Sequence, residues 1–142
     1  MKKTLLVIDD EPSIRLILEH YFTMDFNVVL KSNGLEAIQW LDQGNTADAI
    51  IADYAMPVMD GLDFITQVRA NSSYDNIPLL MLSGKDETSN KIKCLKQGAD
   101  DYVVKPFNPE ELDLRVRKLL NKVKVWPLSA PSNYLFLPAP IS

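Results

Sequence analysis

The chain has 142 residues, 46% of them hydrophobic, and a formal net charge of −4. That length supports one domain with a substantial core, and the composition is that of an ordinary globular protein. The acidic balance argues against direct nucleic-acid binding by this chain, the single cysteine (Cys94) cannot close an internal disulfide, and no stretch approaches the ~20 apolar residues of a membrane span.

The opening "MKKTLLVIDDEPS" starts like a secretory leader, but the apolar run Leu5 to Ile8 is too short and acids follow at once. A soluble cytoplasmic protein with no membrane partner is expected. "TLLVI" (4–8) reads as a buried strand, and "SIRLILEHYFTM" (13–24) as a helix with Ile14, Ile17, Leu18, Tyr21 and Phe22 at helical spacing. "NVVLKS" (27–32) reads as an edge strand. "GLEAIQWLDQG" (34–44) is a helix with Leu35, Ile38 and Leu41 on one face and Gly44 as its stop. "DAIIAD" (48–53) is a third strand, "LDFITQVRAN" (62–71) a helix, and "IPLLMLS" (77–83) a fully apolar fourth strand. "ETSNKIKCLKQG" (87–98) is a helix closed by Gly98, with Cys94 as a buried apolar residue. "DYVVK" (101–105) is the fifth strand, and "PEELDLRVRKLLNKV" (109–123) the last helix, with Pro109 in its first turn.

Strands alternating with helices imply a parallel sheet covered on both faces. The expected fold is α/β: a doubly wound, five-stranded parallel sheet in the flavodoxin-like order 2-1-3-4-5, with five helices. The boundary falls near residue 124. Beyond it, "VWPLSAPSNYLFLPAPIS" (125–142) is a Pro-rich apolar tail or linker, too rich in proline for a regular helix and too apolar for a solvated spacer.

In such a sheet ligands bind beyond the carboxyl ends of the strands, where the strand order reverses. The first strand ends in Asp9-Asp10 and the third in Asp53, so three carboxylates from distant sequence reach one crevice. At ~4 Å and an effective dielectric of ~20, each pair repels by about 4 kcal/mol. A hard divalent cation relieves this; the oxygen ligands suit Mg²⁺, and Mn²⁺ fits as well. The fourth strand ends in Ser83-Gly84 and the fifth in Lys105-Pro106, which adds a hydroxyl and an ammonium. A carboxylate nucleophile, a metal, a hydroxyl and a cation are the parts needed to accept a phosphoryl group onto Asp53.

At this point a resemblance becomes specific. "LLVIDDEPSIR" resembles the acidic-pair segment of the receiver domain of two-component response regulators. "ADYAMPVMDG" is similar to its phosphoacceptor segment, "MLSG" to its Ser/Thr segment, and "GADDYVVKPF" to its lysine segment. The four segments cover the chain from about residue 3 to 123 in the family's order. The resemblance implies that Asp53 is phosphorylated by a sensor histidine kinase or a histidine phosphotransfer protein. It implies that Asp10 binds Mg²⁺ directly, Asp9 mainly through water, and that the Ala55 carbonyl completes the protein ligands. Lys105 and Ser83 would contact the phosphoryl group, Tyr102 would change rotamer, and the bond before Pro106 would be cis. Phosphorylation would remodel the fourth helix, fifth strand and fifth helix, a surface that also forms homodimers in the family. Ala55 and Lys85 occupy flanking positions that influence phosphoryl lifetime in the family.

Taken singly, each residue has a plainer explanation. Asp9-Asp10 could cap a helix, Asp53 and Ser83-Gly84 could be turn residues, Tyr102 half-buried packing, and Lys105 a surface lysine. His20 reads as a surface or packing residue, and Arg115, Arg117 and Lys118 as a solvated face. Only the joint placement favours a phosphorylation-controlled signalling module that is not an enzyme acting on a separate substrate. An aspartyl-phosphate phosphotransferase would carry a second acid two residues after the nucleophile, where Ala55 stands. A degenerate receiver acting as a non-phosphorylated scaffold is disfavoured by the intact acids. A nucleotide-binding domain is disfavoured because the first turn reads "DDEPS" rather than a glycine-rich loop.

Overall fold

The computed structural model describes residues 2–84 and 89–124, with side chains through residue 121. Lys85 and the tail 125–142 lie outside the described residues. Among the described residues the chain alternates β1 (Lys3–Ile8), α1 (Pro12–Phe22), β2 (Phe26–Lys31), α2 (Gly34–Asp42), β3 (Ala49–Asp53), α3 (Gly61–Ala70), β4 (Leu79–Ser83), α4 (Asn90–Gln97), β5 (Asp101–Val104) and α5 (Pro109–Lys124).

All strands pair in parallel, in the order β2-β1-β3-β4-β5. The central strands β3 and β4 are buried along their whole length, whereas β2 at the edge is only half-buried. Their continuous apolar runs follow from this, because both faces of a parallel sheet are covered. Successive side chains leave a strand on opposite faces. Leu5, Val7, Ile51, Leu80 and Leu82 therefore pack with Leu18 and Phe22 of α1 and with Leu112, Val116 and Leu119 of α5. Leu6, Ile8, Ile50, Ala52 and Met81 pack on the other face with Ala37, Ile38 and Leu41 of α2, Phe64, Ile65 and Val68 of α3, and Cys94 of α4.

Local chemistry sets the helix ends. Asn33 and Asp60 accept from the backbone N–H groups of Glu36 and Asp63 at the N-termini of α2 and α3. Asn108 does the same for Glu110 at the start of α5. Gly98 ends α4 at φ 126°, a conformation that disfavours any side chain.

The structure corrects several side-chain placements. Ile17 and Leu35, expected on the buried faces of α1 and α2, are exposed, and Ala37 buries in place of Leu35. The fourth strand begins at Leu79 rather than residue 77 because Pro78 has no N–H to give the ladder. Arg115 and Arg117 are not simply a solvated face. Arg115 pairs with Asp101 and Glu111, and Arg117 with Asp25 and Asp113 while lying over the Phe26 ring. No helix among the described residues is long and apolar enough to cross a membrane.

Candidate functional site

Registry places the site residues at one edge of the sheet. Ile8 pairs with Ala52, Asp53 with Leu82, and Ser83 with Val104, so the strand ends carrying Asp9, Asp53, Ser83 and Lys105 lie side by side. Among the described residues, the buried polar or charged residues are Asp9, Asp53 and Ser83, and all of them stand here. Burying an ionised carboxylate is unfavourable unless it is paired. The concentration of that penalty at one spot makes it the candidate functional site.

Each member is held from a different element. Asp9 directly follows β1, donates its backbone N–H to the Lys31 carbonyl, and accepts from the Glu11 backbone N–H on Oδ1 at 3.0 Å. Its Oδ2 takes a hydrogen bond from Lys105 Nζ at 3.1 Å. The same ammonium lies 3.1 Å from Asp53 Oδ1 and 3.5 Å from Glu11 Oε1. Asp10 is exposed beside them, and one carboxylate oxygen from each of Asp9, Asp10 and Asp53 lies within 4.8 Å of the others. Lys105 precedes a cis peptide bond to Pro106, and its backbone N–H donates to the Ser83 carbonyl at 2.7 Å. That bond ties the fifth strand's end to the fourth's.

Downstream of Asp53 the loop folds back hard. The Tyr54 N–H donates to Leu82 O, and the Gly61 N–H donates to Tyr54 O at 2.7 Å. A Cβ at Gly61 would meet Met81 Cε and would stand 2.8 Å from Tyr54 Cα, so only glycine lets α3 start this close to the phosphoacceptor candidate. Ala55 is exposed in this loop, and Val58 carries the one positive φ, 72°, found at a non-glycine position among the described residues. Ser83 is fully buried, and Tyr102 is buried within the core on the α2–α4 side.

The electrostatics follow from the geometry. Burial, and then the neighbouring charge of Asp9, push the Asp53 carboxyl up to about 6, against the pull of Lys105. Burial also raises Asp9, partly offset by the Glu11 N–H and by Lys105. Lys105 is raised in spite of its own desolvation, because Asp53 and Asp9 both favour the ammonium. With all three carboxylates ionised against one ammonium, the cluster carries a net charge of −2 (three negative, one positive). The donor set is all oxygen and partly open to solvent through Asp10. It fits a hard divalent cation that keeps some of its waters.

Two participants were not singled out from the sequence. Glu11 is the third acid in reach of Lys105, and Arg15 Nη1 donates to the Asp9 carbonyl at 2.6 Å. The run "DDEPSIR" held the only signal: a third acid and a cation within one turn of the acidic pair.

The sheet order and the acid-lined crevice define a doubly wound domain of the flavodoxin-like type. Residues 5–117 match the response regulator receiver domain family. The chain belongs to that family, the receiver domains of two-component systems. It is 38% identical over 125 residues to the transcriptional regulatory protein SrrA of Staphylococcus aureus, covering 87% of this chain and 50% of that protein. The chain thus spans about half the length of the curated relatives it matches. The chemotaxis response regulator CheY4 of Vibrio cholerae superposes with a TM-score of 0.77 at 34% identity, over 84% of this chain and 99% of that one. The receiver domain of the sensor histidine kinase PA1611 from Pseudomonas aeruginosa, solved with a magnesium ion in its active-site cleft, shares the fold. Its TM-score is 0.77 at 24% identity, over 85% of this chain and 99% of that one.

Proposed function

We propose that this chain accepts a phosphoryl group onto Asp53 from a phosphohistidine on a sensor histidine kinase or a histidine phosphotransfer protein. The observation that carries the reading is the pairing of a nearly buried Asp53 with both a second buried acid and Lys105 at one sheet edge. An Asp53 carboxylate oxygen attacks phosphorus, a P–O bond forms, and the P–N bond to the donor imidazole breaks. Asp10, Asp9, Asp53 and the Ala55 carbonyl would hold Mg²⁺, or Mn²⁺ in its place. The ion supplies charge neutralisation for the transferring phosphoryl oxygens.

The remaining work belongs to the chain's own residues. Lys105 leaves its carboxylate partners and pairs with a phosphoryl oxygen. Ser83, at the tip of β4, donates its hydroxyl to another. Tyr102 changes its packing as Ser83 moves. The added charge of about −1.5 to −2 then biases the α4–β5–α5 surface, where Ile92, Leu95 and Leu114 are exposed for an output partner or a second copy. No second acid stands two residues after Asp53, which favours a signalling receiver over a phosphotransferase enzyme.

Incubation with acetyl phosphate and MgCl₂, followed by intact-mass measurement, tests this. One phosphoryl group is expected on the parent and none on Asp53→Asn or in EDTA. An unchanged parent mass overturns the proposal.

A further inference from the structure

Asp9 is tied at every polar atom it possesses. Its N–H goes to Lys31 O, Oδ1 takes the Glu11 N–H, and Oδ2 takes Lys105 Nζ. The fourth tie, on its carbonyl, is Arg15 Nη1 at 2.6 Å. Arg15 stands in the first turns of α1, six residues on, and is half-buried. Its hydrogen bond goes to a backbone carbonyl and not to a carboxylate. A charged donor on a carbonyl is one of the stronger neutral-acceptor hydrogen bonds. The bond spans the Asp9-Asp10-Glu11 turn, closing it like a bracket between β1 and α1.

We propose that Arg15 is a positioning residue for the cation site: by holding the Asp9 carbonyl it fixes the turn that presents the Asp9 and Asp10 carboxylates toward Asp53. This rests on the reading of the crevice as a divalent-cation site. The assignment has a sign that a purely electrostatic role cannot share. A guanidinium near a cation site repels the cation, so deleting its charge alone would tighten Mg²⁺ binding. Deleting a residue that orients metal ligands weakens it, with losses of 10–100-fold typical for partners just outside the ligand sphere.

The test is calorimetric titration of the full chain with MgCl₂ at pH 8, for the parent, Arg15→Met and Arg15→Lys. Arg15→Met is expected to bind roughly tenfold more weakly. Arg15→Lys, which keeps a donor and the charge, recovers most of the loss. With acetyl phosphate, the MgCl₂ concentration for half-maximal phosphorylation rises in Arg15→Met and returns toward the parent's in Arg15→Lys. Circular dichroism melting in EDTA identifies a variant that has merely unfolded; Arg15→Gln, uncharged and shorter, then carries the same prediction as Arg15→Met. If the parent binds no Mg²⁺, the reading of the crevice fails. If the parent binds and Arg15→Met binds as tightly or more tightly, the role of Arg15 fails and the crevice reading stands.

Discussion

Lys105 Nζ lies midway between two buried acids, 3.1 Å from Asp53 Oδ1 and 3.1 Å from Asp9 Oδ2. One ammonium thus serves two carboxylates that would otherwise repel across the crevice, with the exposed Asp10 carboxylate beside them. In the proposed reaction the residue that pairs these two acids is also the one that would meet incoming phosphoryl oxygens. The resting pairing and the proposed chemistry therefore compete for the same side chain.

Asp53 weakens the fold when ionised. Its carboxyl sits at about 6 in the folded chain against an ordinary 3.8, so the folded state holds the proton more tightly than the unfolded one. The penalty is absent below about pH 4, grows between 4 and 6, and is complete above 6. A difference of about two pH units corresponds to roughly 3 kcal/mol. In EDTA at pH 8, Asp53→Asn is expected to be more stable than the parent by about 1–3 kcal/mol. Urea unfolding at pH 8 and pH 4 checks this: the advantage should vanish at pH 4. A variant less stable at pH 8 would make Asp53 a structural cap instead.

The same carboxyl is expected to set the pH dependence of cation binding. With the Asp53 carboxyl pushed up to about 6, a divalent ion that binds there would displace a proton below pH 6. Mg²⁺ affinity is expected to be flat above about pH 7 and to fall up to tenfold per pH unit below 6. Titrations in buffers of different ionisation enthalpy should reveal a released proton at pH 5.5 and none at pH 8. Affinity that is unchanged between those values contradicts the assignment.

Removing Lys105 separates its two roles. Lys105→Met leaves Asp9 and Asp53 facing each other without the ammonium, which in EDTA at pH 8 costs about 3 kcal/mol of stability. A divalent cation now enters without a competing charge, so the variant is expected to bind Mg²⁺ more tightly than the parent and to regain stability on its addition. Its phosphorylation is nonetheless slow, because nothing replaces the contact to the phosphoryl oxygens. Weaker Mg²⁺ binding in this variant would show that Lys105 orders the crevice rather than competes for it.

Gly61 is predicted to be irreplaceable for a steric reason. An alanine Cβ would press on Met81 Cε and on the Tyr54 backbone, only one of which can yield. Gly61→Ala is expected to lose about 1–3 kcal/mol and to shift the loop that follows Asp53. Chemical denaturation and amide hydrogen exchange of residues 54–60 report the two effects; an unchanged midpoint with unchanged exchange would refute the contact argument.

The fold was largely legible because its signals are local. Apolar runs of strand length, such as Leu5 to Ile8 and Leu79 to Leu82, alternate with amphipathic helices, and the strand order follows from that alternation. Which helical stripe faces inward was less legible. In α1 the apolar residues Leu16 and Ile17 adjoin Leu18, and only the packing of Leu18 and Phe22 against β1 and β3 selects the buried side. The carboxylates of the site could be read because strand ends converge in any doubly wound sheet. Glu11 and Arg15 could not, because Lys105 reaches Glu11 only once the sheet has assembled and the Asp9 carbonyl reaches Arg15 only once the first turn has folded. The pairs of Arg115 with Asp101 and of Arg117 with Asp25 escaped for the same reason, since those acids come from other elements; the i,i+4 pairs with Glu111 and Asp113 lay within the helix.

The central claim is that Asp9, Asp10 and Asp53 gather around one divalent ion. The most direct measurement is anomalous diffraction from a crystal of the chain equilibrated with MnCl₂ at pH 8. A single peak at about 2.0–2.3 Å from Asp10 and Asp53 oxygens is predicted, with Lys105 drawn away from Asp53. A crevice without that peak, with Lys105 still bridging Asp9 and Asp53, would contradict it.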